Sequence, residues 1–326
     1  MVKGSDNMEH KIKLIQGDKI SDITRICGDL NLTTSVDTLG ASFNFKIARN
    51  INDSNYAITE TITNGDIIKF ENGDKNIFTG IIIDEEINRF SKSIKCLDFY
   101  FYLNNNKVIK QFNELNASSC IENLLKSVGA DIGTIEPIAT SIDKIYKNRT
   151  VAEIIDDILK IVNEETGKKY LIEIEETTFS LVAYKKINVQ VENNIFGMPV
   201  ANKSMVNMKN IILVVSNDQE DESIYAEAKD ESGIKKYGML QEIIEVDPDK
   251  DDISKVRNIA NTKLKELNKV TQKVSLPVFG NDELKAGRIL EIEIKEFNIK
   301  DEFLIKSCTH SFKKGKHICD LELEVS

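Results

Sequence analysis

Four side chains near the C-terminus are the most promising for chemistry. Cys308, His310, His317 and Cys319 lie symmetrically about Lys314-Gly315. On strands, each Cys-x-His pair shares one face, and two thiolates with two imidazoles are a donor set that suits tetrahedral zinc. The register argues against that use. A two-residue turn at Lys314-Gly315 pairs His310 with Cys319 but Cys308 with Leu321, so the four do not oppose one another squarely. Free thiols and buried or interfacial histidines in a sheet core are the favoured reading. No metal and no cofactor are therefore expected, with Cys308, His310, His317 and Cys319 kept as candidates.

Catalytic constellations fare no better. Glu85-Glu86, Asp156-Asp157 and Glu164-Glu165 are adjacent acids, but neighbours diverge on a strand or a helix, so none forms an acid/base pair. His10 is expected in a frayed terminus. No Gly-x-Ser-x-Gly elbow, Cys/His signature or phosphate loop occurs. No catalytic residue is expected.

The elements that must carry these residues fall into three parts, 1–103, 104–203 and 204–326. The first alternates apolar and polar residues, with Phe43, Phe45 and Ile47 on one face. Further strand-like segments lie around Ile58–Ile62, Ile67–Phe70, Phe78–Ile83 and Ile94–Leu97. Asn64-Gly65 and Asn72-Gly73-Asp74 are hairpin signals, because Asn and Gly accept the positive φ of tight reversals. A small antiparallel barrel or sandwich is expected.

The middle part changes to helical spacing. One helix runs from Ser118 to Val128 and stops at Gly129. A second is bounded by a Thr150/Glu153 capping box and Gly167. A hairpin of Tyr170–Ile174 and Thr178–Ala183 follows, giving an α+β domain.

The last part returns to strands and holds one long helix, 253–270, opened by Asp247-Pro248-Asp249, Asp251 and Asp252, whose charge suits a helix N-terminus. Its stripe of Ile253, Val256, Ile259, Leu264, Leu267 and Val270 could be a coiled-coil seam. Packing on its own C-terminal barrel is favoured. The fold class is α+β and mostly β.

Composition narrows the function. The chain has 326 residues and a net charge of −10, which disfavours coating nucleic acid or docking on anionic membranes. Its apolar runs, such as Ile211–Val215 and Ile81–Ile83, fall far short of the roughly 20 residues of a membrane span. The N-terminus carries no readable secretory signal, so cytosolic synthesis is expected. Five cysteines, an odd and sparse set, read as reduced thiols.

There is also an internal echo. Gly65-Asp66-Ile67-Ile68-Lys69-Phe70-Glu71, leading to Phe78, is matched by Gly287-Arg288-Ile289-Leu290-Glu291-Ile292-Glu293, leading to Phe303. The alternatives are a duplicated module or the general likeness of any two hairpins.

The later two-thirds of the chain resembles the XkdQ/YqbQ-type baseplate hub proteins of contractile phages and phage-like particles such as PBSX. The resemblance rests on Asp230-Glu231-Ser232-Gly233-Ile234-Lys235-Lys236-Tyr237-Gly238 and the helix after it, and on Leu284 to Gly287. It also rests on Ile305-Lys306-Ser307-Cys308-Thr309-His310, on His317 before Leu321-Glu322-Leu323, and on the stretches Thr150–Ile155 and Thr166–Tyr170. It implies two tube-protein-like antiparallel β-barrels flanking the middle domain. It further implies a homotrimer adapting a six-fold tail tube to a three-fold spike, with tail tube protein, central spike protein and other baseplate proteins as partners. Assembly in the bacterial cytoplasm and residence in the baseplate of a phage or R-type bacteriocin follow. A tail-tip peptidoglycan-degrading enzyme is the alternative.

Overall fold

The computed structural model describes residues 10–38, 40–191, 194–218, 223–246, 253–313 and 315–325. The first part is a run of strands: β1 (His10–Gln16), β2 (Lys19–Asp22), β3 (Cys27–Ser35), β4 (Ser42–Ala48), β5 (Ile67–Asn72), β6 (Lys75–Ile87) and β7 (Ser91–Leu97). Alternation buries Ile12, Leu14, Phe43, Phe45, Ile47, Ile68 and Phe70 in one core. The segment around Ile58–Ile62 is not a strand: Ser54–Thr61 forms a 3-10 helix. Local hydrogen bonds outcompete a ladder there, since Asp53 Oδ1 accepts the Asn55 N–H at 2.9 Å and Thr59 Oγ1 donates to the Ala48 carbonyl at 3.0 Å.

The middle part comprises α1 (Tyr100–Asn105), β8 (Lys107–Asn116), α2 (Ala117–Ser127), β9 (Asp131–Ile135), β10 (Ser141–Thr150), α3 (Val151–Thr166), β11 (Tyr170–Glu175) and β12 (Thr178–Ala183). Both expected helices form, and β11 pairs with β12 as the expected hairpin. At α3, Thr150 Oγ1 accepts the Glu153 N–H at 3.1 Å and Glu153 Oε2 accepts the Thr150 N–H at 2.8 Å. Gly167 ends the helix at φ 70°. The buried face of α3, Val151, Ile154, Ile155, Ile158 and Val162, packs with that of α2 in a core of its own.

The remainder runs β13 (Lys185–Lys186), β14 (Val200–Ser204), β15 (Ile211–Ser216), β16 (Ile224–Lys229), α4 (Glu231–Tyr237), β17 (Gln241–Val246), α5 (Ile253–Leu267), β18 (Thr271–Phe279), β19 (Arg288–Ile294), β20 (Ile299–Lys313) and β21 (Lys316–Val325). Strands β13 and β14, which the sequence reading places in the middle part, pair with β19 and β18. The β15–β16–β17 sheet and α5 form a separate α/β unit inserted between β14 and β18.

That insertion corrects the expectation for the long helix. Val256, Ile259 and Ala260, with Leu264 and Leu267, cover Ile212, Val214, Ala226 and Ala228 of β15 and β16, not the C-terminal barrel strands. The small sheet exposes one apolar face, and the stripe beside it in sequence is what covers it. The helix stops at Leu267, short of Val270, where Asn268 Nδ2 donates to Asp230 Oδ2 at 2.9 Å. The acidic start, Asp247 to Asp252, lies outside the described residues.

The echo extends to hydrogen bonds. Strands β3, β4, β5, β6 and β7 are ordered in space as β5-β6-β7-β4-β3, and β14, β18, β19, β20 and β21 as β19-β20-β21-β18-β14, every pair antiparallel. Gly65 and Gly287 both have positive φ, 97° and 79°. Their N–H groups donate to matching carbonyls, Ile82 at 2.9 Å and Ile305 at 3.0 Å. The residues three and five places after each glycine, Ile68 and Phe70 or Leu290 and Ile292, are buried. The register slips at the same place in each copy, after Ile82 and after Ile305. Such agreement exceeds what two unrelated hairpins share.

The two modules are joined edge to edge. Beyond its irregularity β20 leaves β19 and pairs with β3, Ser307 opposite Ser35 and Phe312 opposite Leu30, making one 13-stranded sheet. Each module keeps its own core, but Phe312 of β20 lies in the N-terminal one.

Candidate functional site at the seam of the β modules

The β20–β21 hairpin has the register that a two-residue reversal imposes. His310 is opposite Cys319, Cys308 opposite Leu321, and Phe312 opposite His317. Gly315 takes φ 71°, and Lys314 lies outside the described residues. His310 is consequently placed between the two thiols: its Nε2 is 3.3 Å from Cys308 Sγ and its Nδ1 is 3.3 Å from Cys319 Sγ. Different nitrogens of one ring face different sulfurs, and His317 Nε2 lies 3.6 Å from Cys319 Sγ, so the four sequence candidates form a linked row. Donor atoms of Cys308, His310 and Cys319 form one group and His317 belongs to another.

The first group is a buried hydrogen-bonded row. His310 Nε2 faces the Leu284 carbonyl at 2.6 Å and its Nδ1 faces His317 Nε2 at 2.9 Å. The hydrogen bond from Cys308 holds the Cys319 thiol below its ordinary pKa, with His310 and His317 acting in the same direction, and the same bond raises Cys308. Burial alone pushes His310 down, but the hydrogen bond and charge of Cys319 and the Leu284 carbonyl outweigh it, and the net direction is up.

The second group contains two residues that the sequence reading missed. His10 is no frayed terminus. It opens β1 opposite Asn72, with its ring 4.4 Å from Phe312 and 5.3 Å from Phe70 between centroids. The signal was present: Ile12 and Leu14 continue its alternation. Asp282 comes from the β18–β19 connection and carries no sequence signal. Its Oδ2 accepts from Asn72 Nδ2 at 2.7 Å, while its Oδ1 lies 3.9 Å from His317 Nδ1. Burial, then the His317 charge, lowers the pKa of His10, against the opposing pull of Asp282.

The acid pairs are dispersed. Glu85 pairs with Lys92 at 2.8 Å, beside an exposed Glu86. Asp157 accepts from Tyr146 Oη at 2.6 Å and Lys144 Nζ at 2.7 Å. Burial pushes the neighbouring Asp156 up to about 6. Glu164 faces Lys263 across the α3–α5 contact at 3.6 Å. Among the described residues no helix is long and apolar enough to cross a membrane.

Known proteins share this architecture. The chain is 23% identical over 270 residues to the phage-like element PBSX protein XkdQ of Bacillus subtilis, covering 81% of this chain and 82% of that protein. The 43 kDa tail protein of prophage MuSo2 from Shewanella oneidensis superposes with a TM-score of 0.69 at 12% identity, covering 96% of this chain and 98% of that one. A tail protein from Neisseria meningitidis MC58 superposes at 0.70 and 12% identity, with 97% and 96% covered. The YQBQ-like family model matches residues 30–324, nearly the whole chain. The chain therefore belongs to the YQBQ-like family, and its fold is that of phage tail proteins.

Proposed function

We propose that this protein is a structural, non-enzymatic baseplate hub of a contractile phage tail or R-type bacteriocin. Three copies form a ring of six equivalent β modules, seating a six-fold tail tube on one side and a three-fold spike on the other. The observation that carries the reading is the duplicated strand order with its matched glycines and register slips. The middle α+β part and the inserted α/β unit remain available to other baseplate proteins. The net charge of −10 per copy favours an acidic lumen to which passing DNA does not adhere.

The β3–β20 seam supplies a template for the contact between copies. Within one chain β3 occupies the half of β20 that β19 vacates. Among the described residues the equivalent half of β6, Asp84 to Ile87, pairs with β7 on its other side only, and β14 pairs only with β18. Ile82 faces Cys96, which faces Phe43, which faces Leu32. In the second module Ile305 faces Leu323, then Val274, then Ala201. Ala201 thus corresponds to Leu32, and Ile87 to its partner His310. Transferring the intrachain register puts Ile87 of one copy opposite Ala201 of the next, and Glu85 opposite Lys203.

Cysteines placed at both positions, Ile87→Cys with Ala201→Cys, test this. Oxidation is expected to link the chains into closed trimers, and neither single variant links in this way. A monomer at every concentration that never joins a particle overturns the hub reading. A trimer without the cross-link overturns the edge pairing alone.

A further inference from the structure

All three histidines of the chain meet at one place. We propose that His10 Nε2, His317 Nδ1 and Asp282 Oδ1 form a binding site for a divalent transition-metal ion, zinc(II) or iron(II), that clamps the N-terminal β module to the C-terminal one.

Three observations carry the site. One ligand atom from each of the three residues lies within 4.8 Å of those of the other two. His10 Nε2 and Asp282 Oδ1 are buried without any hydrogen-bond partner, a state that costs free energy unless something else satisfies them. The 3.9 Å between His317 Nδ1 and Asp282 Oδ1 is too long for a hydrogen bond. Two donors that each approach a tetrahedral ion to about 2.0–2.2 Å lie roughly 3.3–3.6 Å apart, so a shift of a few tenths of an ångström closes this pair on one ion.

The surrounding hydrogen bonds aim the donors. Asn72 occupies Asp282 Oδ2 and leaves Oδ1 free. The Leu284 carbonyl can only accept, so His310 carries its proton on Nε2. With His310 neutral, its Nδ1 accepts from His317 Nε2–H, and the His317 lone pair is then on Nδ1, facing Asp282. An outer partner that fixes the tautomer of a ligating histidine is the usual support of a metal site. Two imidazoles and one carboxylate suit zinc or iron(II), whereas magnesium and calcium prefer all-oxygen sets. Asp282 also borders a cavity of about 520 Å³. His10 and Asn72 come from one module and Asp282 and His317 from the other, so the ion reinforces the β3–β20 seam.

The test uses full-length protein stripped with a chelator and titrated with zinc(II), and in parallel with cobalt(II), whose absorption distinguishes thiolate from nitrogen and oxygen ligation. One ion per chain, a raised Tm and a cobalt spectrum without a thiolate charge-transfer band are expected. His10→Phe keeps the ring packing and Asp282→Asn keeps an acceptor for Asn72. Each is expected to weaken zinc binding by about ten-fold or more, while Cys308→Ser leaves it unchanged. The proposal is overturned if folded wild-type protein takes up no stoichiometric metal, if the cobalt spectrum shows thiolate ligation, or if binding ignores both substitutions.

Discussion

The backbone N–H of Gly280 donates to the carbonyl of His317 at 2.8 Å, and the imidazole of the same histidine lies over the glycine so closely that a Cβ there would overlap the ring. Gly280 is thus required by close approach, the ring being held against the end of β18 and the adjoining chain. Gly280→Ala is expected to displace His317 and to cost about 1–3 kcal/mol. Chemical denaturation measures the loss, and the shift of the His317 imidazole resonances locates it.

The inserted α/β unit gives a second prediction. Leu264 packs on the core beneath α5, so Leu264→Asp is expected to destabilise the unit by roughly 2–4 kcal/mol. Hydrogen exchange should rise across residues 211–267 and stay low in β4 and β20. Loss of oligomer with unchanged exchange in that unit would instead assign the helix to a seam between copies.

At α3 the capping box sets a smaller effect. Thr150→Ala removes the acceptor for the Glu153 N–H and is expected to cost about 1 kcal/mol, with Thr150→Ser restoring most of it. Urea unfolding of the two variants side by side checks the order.

Asp98 supplies the pH dependence. Burial pushes its carboxyl up to about 6, against the Ala41 and Tyr100 N–H groups that it accepts at 2.7 and 3.0 Å. The unfolded group titrates near 4, so between those values the native state binds more protons than the unfolded one. The stability from this group is fully present below about pH 4, is lost as pH rises through about 6 and is flat above. A shift of this size corresponds to up to about 3 kcal/mol. Asp156, also raised to about 6, acts in the same window, so unfolding free energies measured from about pH 4 to pH 7 should fall less steeply in Asp98→Asn than in wild type; an unchanged slope would rule the assignment out.

Local signals in the sequence reached as far as their own hydrogen bonds. The Thr150/Glu153 box, the Gly167 stop and the hairpin at Gly315 involve residues a few places apart, and each forms as its spacing implies. The run at Ile58–Ile62 misled because its apolar residues suit a strand, while Asp53 two places before Asn55 favours a turn. Pairing of β3 with β20 joins residues more than 270 positions apart, and nothing within either strand specifies the other. The side-chain cluster at the seam was half legible for the same reason. Cys308 and Cys319 advertise themselves by symmetry, whereas His10 and Asp282 gain meaning only when two distant segments meet.

Phe312 of β20 completes the core of the first module, which makes closure of that core late in translation. The N-terminal strands leave the ribosome long before the segment that closes them, so a nascent or truncated chain retains an open sheet margin and an unfilled aromatic cluster. Synthesis of β20 seals both, so the first module is expected to close only after that strand emerges.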